Sequence, residues 1–210
     1  MPPTFRLSYD EDSQPGKLIT TVTNRVGDTK IYTFDDNNQL LSLKDELGYT
    51  ETYTYDVNGK RTSVTDANGQ TTHFEYDTNS NLKTLTDAAN HQTQLTYDDD
   101  NHLLSAENAL GKHINFAYEN NHLTSITDPF NHVTRYTYNN YGQLLTKTSP
   151  LQAVTTYEYE NGRLVRAINP ESVVYTLSYD AAGRLTTLTD VDDKTTTLTY
   201  DDIDRLIKAR

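Results

Sequence analysis

Apolar and polar residues alternate along most of this chain. In Thr93-Gln94-Leu95-Thr96-Tyr97, residues Thr93, Leu95 and Tyr97 share one face while Gln94 and Thr96 take the other. The same pair of ring or aliphatic residues recurs as Tyr53/Tyr55, Phe74/Tyr76, Phe116/Tyr118, Tyr136/Tyr138, Tyr157/Tyr159, Leu177/Tyr179 and Leu198/Tyr200. A period of two with Thr, Tyr, Val and Ile enrichment predicts strands, and no helical period competes with it. The last member of each pair keeps a clock. Phe34, Tyr55, Tyr76, Tyr97, Tyr118, Tyr138, Tyr159, Tyr179 and Tyr200 follow one another at 20 or 21 residues. Such a period predicts stacked units that bury their apolar faces only against their neighbours.

Two turns punctuate each unit. The second runs Asp45-Glu-Leu-Gly48, Asp66-Ala-Asn-Gly69, Asp87-Ala-Ala-Asn90, Asn108-Ala-Leu-Gly111, Asp128-Pro-Phe-Asn131 and onward. Asp or Asn first, Pro tolerated second and Gly or Asn fourth predict a type I turn closed by a left-handed residue. The first turn has the same form in most units, with Gly59, Gly142 and Gly183 in fourth place. Two units are one residue shorter there, at Glu119-Asn120-Asn121-His122 and Glu160-Asn161-Gly162-Arg163. Asn-Asn and Asn-Gly suit a two-residue type I′ hairpin, which keeps the strands on the correct face despite the lost residue.

The chain is therefore expected to be all-β: an antiparallel meander of about twenty strands built from repeated hairpins. At ~4.8 Å per strand it would be roughly 95 Å across. A sheet of that width is expected to curl into an open spiral or partial shell, the Tyr/Leu face inward and the Thr/Lys/Glu face to water. Residues 1–29 read as a divergent first unit with an insertion, and 30–210 as tandem units with the last cut short. One detail resists: leucines stand three apart (Leu40/Leu43, Leu82/Leu85, Leu185/Leu188), which in a regular strand face opposite ways. A bulge between them, or a partly apolar outer face, is required.

Composition narrows the function classes. A formal charge of −12 repels phosphate backbones and acidic lipid surfaces, so nucleic acid is not an expected partner. The absence of cysteine removes disulfides, thiolate catalysis and cysteine zinc sites. No stretch reaches the ~18 apolar residues of a membrane span, and the first residues lack the apolar core of a signal peptide.

Tyr55-Asp56…Gly59…Thr65-Asp66…Gly69…Thr72…Tyr76 resembles the repeat of the RHS/YD-repeat family, with Arg61 where that repeat usually has Leu. Tyr179-Asp180…Gly183…Leu185…Thr189-Asp190…Thr196…Tyr200 is another copy. The resemblance implies repeats that wind into a hollow β-shell. In bacterial members the shell encloses a toxic C-terminal domain for delivery, and in the teneurins of animals it serves cell-surface adhesion. It also implies a secreted or cell-surface setting, with a toxin or other passenger polypeptide, or neighbouring repeats, as partner. The self-cleaving core segment of the family has no match here, and about nine repeats are fewer than a closed cage is expected to need.

Specific chemistry is sparse. The acidic turns, such as Asp98-Asp99-Asp100, offer carboxylates for calcium, yet Asp and Asn are what such turns need for their own backbones. No cofactor or metal is expected. His102 and His122 fill one slot in consecutive units, elsewhere held by Gln39, Lys60, Asn81, Gln143, Arg163, Arg184 and Arg205; this reads as a solvated polar position. No carboxylate breaks the pattern as a catalytic residue should, so an enzyme is not expected. The residues singled out are the nine clock aromatics and the turn glycines Gly48, Gly59, Gly69, Gly111, Gly142, Gly162 and Gly183. The expected function is a structural segment of a shell around a passenger. The rival is an adhesion or glycan-binding ribbon using the tyrosine face or the acidic rim. Unpaired outer strands make edge-to-edge association an expected hazard.

Overall fold

A computed structural model describes residues 6–10, 16–172, 174–190 and 192–209. Contacts divide the chain into two units, Met1–Lys112 and His113–Arg210. The first holds β1 (Arg6–Asp10), β2 (Lys17–Thr23), β3 (Thr29–Asp35), β4 (Leu40–Lys44), β5 (Thr50–Tyr55), β6 (Arg61–Thr65), β7 (Thr71–Tyr76), β8 (Leu82–Thr86), β9 (Gln92–Tyr97) and β10 (Leu103–Glu107). The second holds β11 (His113–Glu119), β12 (His122–Thr127), β13 (Val133–Tyr138), β14 (Leu144–Thr148), β15 (Val154–Glu160), β16 (Arg163–Ile168), β17 (Val174–Tyr179), β18 (Leu185–Thr189), β19 (Thr195–Tyr200) and β20 (Leu206–Ala209). Within each unit every strand pairs antiparallel with its neighbours in sequence, as in β4 with β3 and β5 or β18 with β17 and β19. The described residues contain no helix. Of the stretch 1–29, expected to be a divergent first unit with an insertion, residues 1–5 and 11–15 lie outside the described residues.

The turns close as their residues require. In Asp66–Gly69, the Gly69 amide donates to the Asp66 carbonyl at 3.0 Å and the Asp66 amide to Gln70 at 2.9 Å. Gly48, Gly59, Gly69, Gly111, Gly142 and Gly183 all have φ between 70° and 89°. Where glycine is missing, Asn90 and Asn131 take φ of 63° and 64° instead. Both short turns have positive φ at two successive residues, Asn120/Asn121 and Asn161/Gly162, as type I′ demands.

The leucine spacing is resolved by a bulge. Phe34 pairs with Leu40 but Thr33 with Ser42, which leaves Leu41 as the extra residue and returns Leu43 to the face of Leu40. The same shift occurs opposite Tyr76, where Lys83 is extra, and opposite Tyr179, where Thr186 is extra. Each of the nine clock aromatics faces such a register shift.

One face of each sheet carries a column of apolar cross-strand pairs: Tyr53 with Val64, Phe74 with Leu85, Phe116 with Ile126, Leu177 with Leu188. No hydrophobic residue on the described chain is fully buried. The two residues that come nearest to full burial among those described, Ser63 at 7% and Thr84 at 8% exposed, are polar and belong to the opposite, threonine-rich face. Hydroxyls pair along that face, as in Thr54 with Ser63 at 2.6 Å and Thr137 with Thr146 at 2.6 Å. The expectation that this face is open to water holds for Thr52, Thr54, His73, Glu75 and Glu158, which are exposed, and fails for mid-strand Ser63 and Thr84, which are buried. The apolar face, by contrast, stays half-exposed.

Candidate functional site

The nine clock aromatics are all half-buried on the apolar face, and the hydroxyls of five of the tyrosines have a specific task. The β4–β5 ladder stops at Ser42 and Thr52, two residues short of the bulge residue Leu40, whose carbonyl has no ladder partner on that side. The Tyr55 hydroxyl donates to that carbonyl at 2.9 Å. Tyr76 does so to Arg61, Tyr138 to Leu123, Tyr179 to Leu164 and Tyr200 to Leu185, each 15 residues back and at 2.9 Å. Every acceptor is the first residue of the preceding hairpin's bulge. The bulge creates an orphan carbonyl and the next tyrosine satisfies it. Tyr97 and Tyr159 do not make this bond.

A second layer sits on the rings. Lys60 Nζ lies 5.1 Å from the centre of the Tyr76 ring, and the guanidinium carbons of Arg163 and Arg184 lie 5.8 Å and 5.0 Å from those of Tyr179 and Tyr200. His122 packs on Tyr138 at 4.8 Å between ring centres. These cation–π and ring contacts are individually worth about 0.5–1 kcal/mol at partly exposed sites. The reading of this slot as solvated is thus corrected: Gln39, Lys60, Asn81, His102, His122, Gln143 and Arg184 are half-buried, and only Arg163 and Arg205 are exposed. His122 also places Nδ1 2.7 Å from the Asn120 carbonyl, and His102 Nδ1 lies 2.9 Å from Asp98. Nothing in the residue type at this slot signals that it lies over a ring.

The slot also reaches the next turn. Asn81 Nδ2 donates to Asn101 Oδ1 at 2.7 Å, Gln143 Nε2 to the Gly162 carbonyl at 2.9 Å and Arg184 Nη1 to Asp204 at 2.6 Å. His122 and Arg163 occupy the space that a Cβ on Gly142 or Gly183 would need. A Cβ at either glycine would have to displace that side chain, in addition to straining the left-handed backbone. At Gly69 and Gly162, where nothing stands within 4 Å, only the backbone argument applies.

These hairpins match the model of the teneurin YD-shell over residues 45–161, more than half of the 210-residue chain. The chain belongs to the teneurin YD-shell family. The RHS repeat matches over 159–195 and 179–210. No curated protein matches the sequence. Among solved structures the chain is similar to TcdB2-TccC3-TEV, 16% identical with a TM-score of 0.57, covering 99% of this chain and 15% of that one. It is also similar to TcdB2-TccC3-Cdc42 and to TcdB2-TccC3 without its hypervariable C-terminal region. Each of these is 17% identical with a TM-score of 0.53, covering 98% of this chain and 12% of the other. At such identities the likeness is one of fold. The chain spans less than a sixth of the length of these relatives.

In this YD-shell segment the acidic turns are committed to their own backbone. Asp66 Oδ1 accepts from the amides of Asn68 and Gln70, both at 2.8 Å, and Asp128 Oδ1 from Phe130 and His132 at 2.8 and 2.9 Å. Asp180 and Asp201 are held below the usual carboxylate range, first by the backbone amides of Arg184 and Arg205 and then by their side chains. For Asp98 burial pulls upward, but the His102 side chain and amide outweigh it and the net shift is down. Tyr53 is pushed up to about 12 by burial and by its hydrogen bond to Glu51. Among the described residues no group of three or more His, Asp or Glu side chains is placed to share a metal ion. The side chains in this arrangement hold hairpins to one another, and the half-exposed apolar face is what they leave available.

Proposed function

We propose that this chain is a stretch of wall in an exported β-shell that encloses a passenger polypeptide, and that it carries structure rather than catalysis. The observation that carries the reading is the apolar face: a column of tyrosine, phenylalanine and leucine on which, among the described residues, no hydrophobic residue is fully buried. A face of that kind is stabilised by cover, because each Å² removed from water contributes about 25 cal/mol. The relatives of similar fold give the proposal its form. Two are named for a third protein, TEV or Cdc42, and one for lacking a hypervariable C-terminal region, while this chain spans 12–15% of their length. A larger wall and a variable passenger are the arrangement carried over to this chain.

The test is a photocrosslinking amino acid placed in the longest natural form of the protein. Positions Phe74 and Tyr157 lie on the apolar face, and His73 and Glu158 on the other. Crosslinks from the first pair to a polypeptide outside the repeats, with none from the second pair, are expected. Equal yields from both faces would overturn the reading.

A further inference from the structure

Asparagine is followed by glycine at three places in this chain, Asn58-Gly59, Asn68-Gly69 and Asn161-Gly162. The dipeptide has a chemistry of its own. The glycine nitrogen can attack the asparagine carboxamide carbon, because glycine has no Cβ to obstruct the approach. All six residues are exposed, so access of water does not separate the three sites. The state of the attacking nitrogen does.

In the two four-residue turns that nitrogen is engaged. The Gly59 amide donates to the Asp56 carbonyl and the Gly69 amide to the Asp66 carbonyl, both at 3.0 Å. The amides on either side are engaged as well. Asn58 and Lys60 donate to Asp56 Oδ1, and Asn68 and Gln70 to Asp66 Oδ1, all at 2.8 or 2.9 Å. Each of these pairs is therefore fixed at three successive amides. The turn from Glu160 to Arg163 is built differently. Having lost a residue it takes type I′ geometry, with φ of 49° at Asn161 and 80° at Gly162. Its outer residues, Glu160 and Arg163, pair across the hairpin, and the central glycine takes no part. Among the described residues the Gly162 amide has no acceptor and the Asn161 side chain no partner. No side chain stands within 4 Å of the place that a Cβ on Gly162 would take, so the approach is open.

We propose that Asn161 is a site of spontaneous deamidation and isoaspartate formation, and that the fold protects Asn58 and Asn68. The Gly162 nitrogen bonds to Asn161 Cγ and gives its proton to water, the carboxamide nitrogen leaves as ammonia, and a succinimide ring remains. Water then opens the ring at either carbonyl, giving aspartate or isoaspartate. The net change is a water consumed and an ammonia released, with no oxidation or reduction. Isoaspartate routes the main chain through Cβ and so lengthens a turn whose type admits no extra atom. The Gly162 carbonyl, which accepts from Gln143 Nε2 at 2.9 Å, moves with it. The modification therefore loosens both the β15–β16 hairpin and its tie to the hairpin before. The site lies in a turn, apart from the apolar face, and does not rest on the shell-wall proposal.

The test is peptide mapping by mass spectrometry of the 210-residue protein aged at neutral pH, with a second sample aged in guanidinium chloride. Freeing a bound glycine amide costs one neutral hydrogen bond, equivalent to about fivefold in rate. Native Asn161 is expected to deamidate at least that much faster than Asn58 or Asn68. In denaturant, where no turn survives, the three rates are expected to converge. Enzymatic methylation of isoaspartate should label the aged native protein at position 161. Hydrogen exchange should quicken in β15 and β16 of the labelled fraction and stay unchanged in β5 and β6. Equal native rates at the three sites, or a lead for Asn161 that persists undiminished in denaturant, would overturn the assignment. Unchanged exchange in protein carrying isoaspartate at 161 would overturn its structural consequence.

Discussion

Replacing one clock tyrosine by phenylalanine removes a single hydroxyl and leaves the ring. In Tyr138→Phe the lost bond is the 2.9 Å contact to the Leu123 carbonyl, and the ring can remain in place against His122. A neutral hydrogen bond contributes about 1 kcal/mol net, and an orphaned buried carbonyl costs more. Tyr138 and Leu123 are half-buried, so water can reach part of that carbonyl and the loss should stay near 1 kcal/mol. Tyr179→Phe and Tyr200→Phe remove the same bond and should lose as much. Tyr159→Phe, in the same unit, removes a hydroxyl with no partner among the described residues and should cost under about 0.3 kcal/mol. Urea titration followed by circular dichroism gives the midpoints. Because a repeat array can unfold in parts, hydrogen exchange of the amides around each bulge should be read alongside. Equal losses at Tyr138 and Tyr159 would refute the assignment of the hydroxyls to the bulges.

Other consequences can be checked separately. Gly183→Ala and Gly162→Ala both force a side chain into left-handed backbone, at about 1–2 kcal/mol each, but only Gly183 also meets the Arg163 guanidinium. Gly183→Ala should be the more destabilising by thermal melt, and an Arg163→Ala background should remove the excess. Asp180 and Asp201 have folded-state pKa values below 3.8, so their stabilisation is fully present above the unfolded value and is lost as pH falls through the folded one. Stability should drop below about pH 4, and Asp180→Asn should flatten that drop. Strand β20 pairs only with β19 among the described residues, with Leu206 and Ile207 53% and 64% exposed. Light scattering should show concentration-dependent association that Ile207→Lys suppresses; a monomer at every concentration would count against edge pairing.

Much of this fold was legible because its signals are local. Alternation placed the strands, and Asp-x-x-Gly or Asp-x-x-Asn placed the turns with their left-handed residue. The short Asn120-Asn121 and Asn161-Gly162 turns announced their own type. The bulge was legible only as a contradiction: Leu40 and Leu43 have the wrong spacing for one face, and the sequence left open whether bulge or apolar outer face explained it. What escaped entirely is contact between units. Nothing in Lys60 or Arg184 says that it lies over a ring 16 residues later, and nothing in Tyr55 says that its hydroxyl serves a carbonyl 15 residues earlier. These partners are set by how one hairpin lies on the next.

Those inter-hairpin contacts explain how a sheet without a fully buried apolar residue holds its register. A slip of one residue would exchange the two faces of a strand, and a half-exposed column penalises that exchange only weakly. The bulge and its tyrosine add a discrete lock. The hydroxyl finds its carbonyl only if the preceding hairpin has its extra residue at that one place, and the slot residue meets the following turn only in the same register. Arg184 shows the lock at its fullest, bonded to Asp180 in its own turn at 2.7 Å, lying over Tyr200 and reaching Asp204 at 2.6 Å. Arg184→Ala should therefore loosen the Tyr200 hairpin more than its own, visible as faster hydrogen exchange at β19 and β20 than at β17. The reverse order would mean that register is set within each hairpin and not between them.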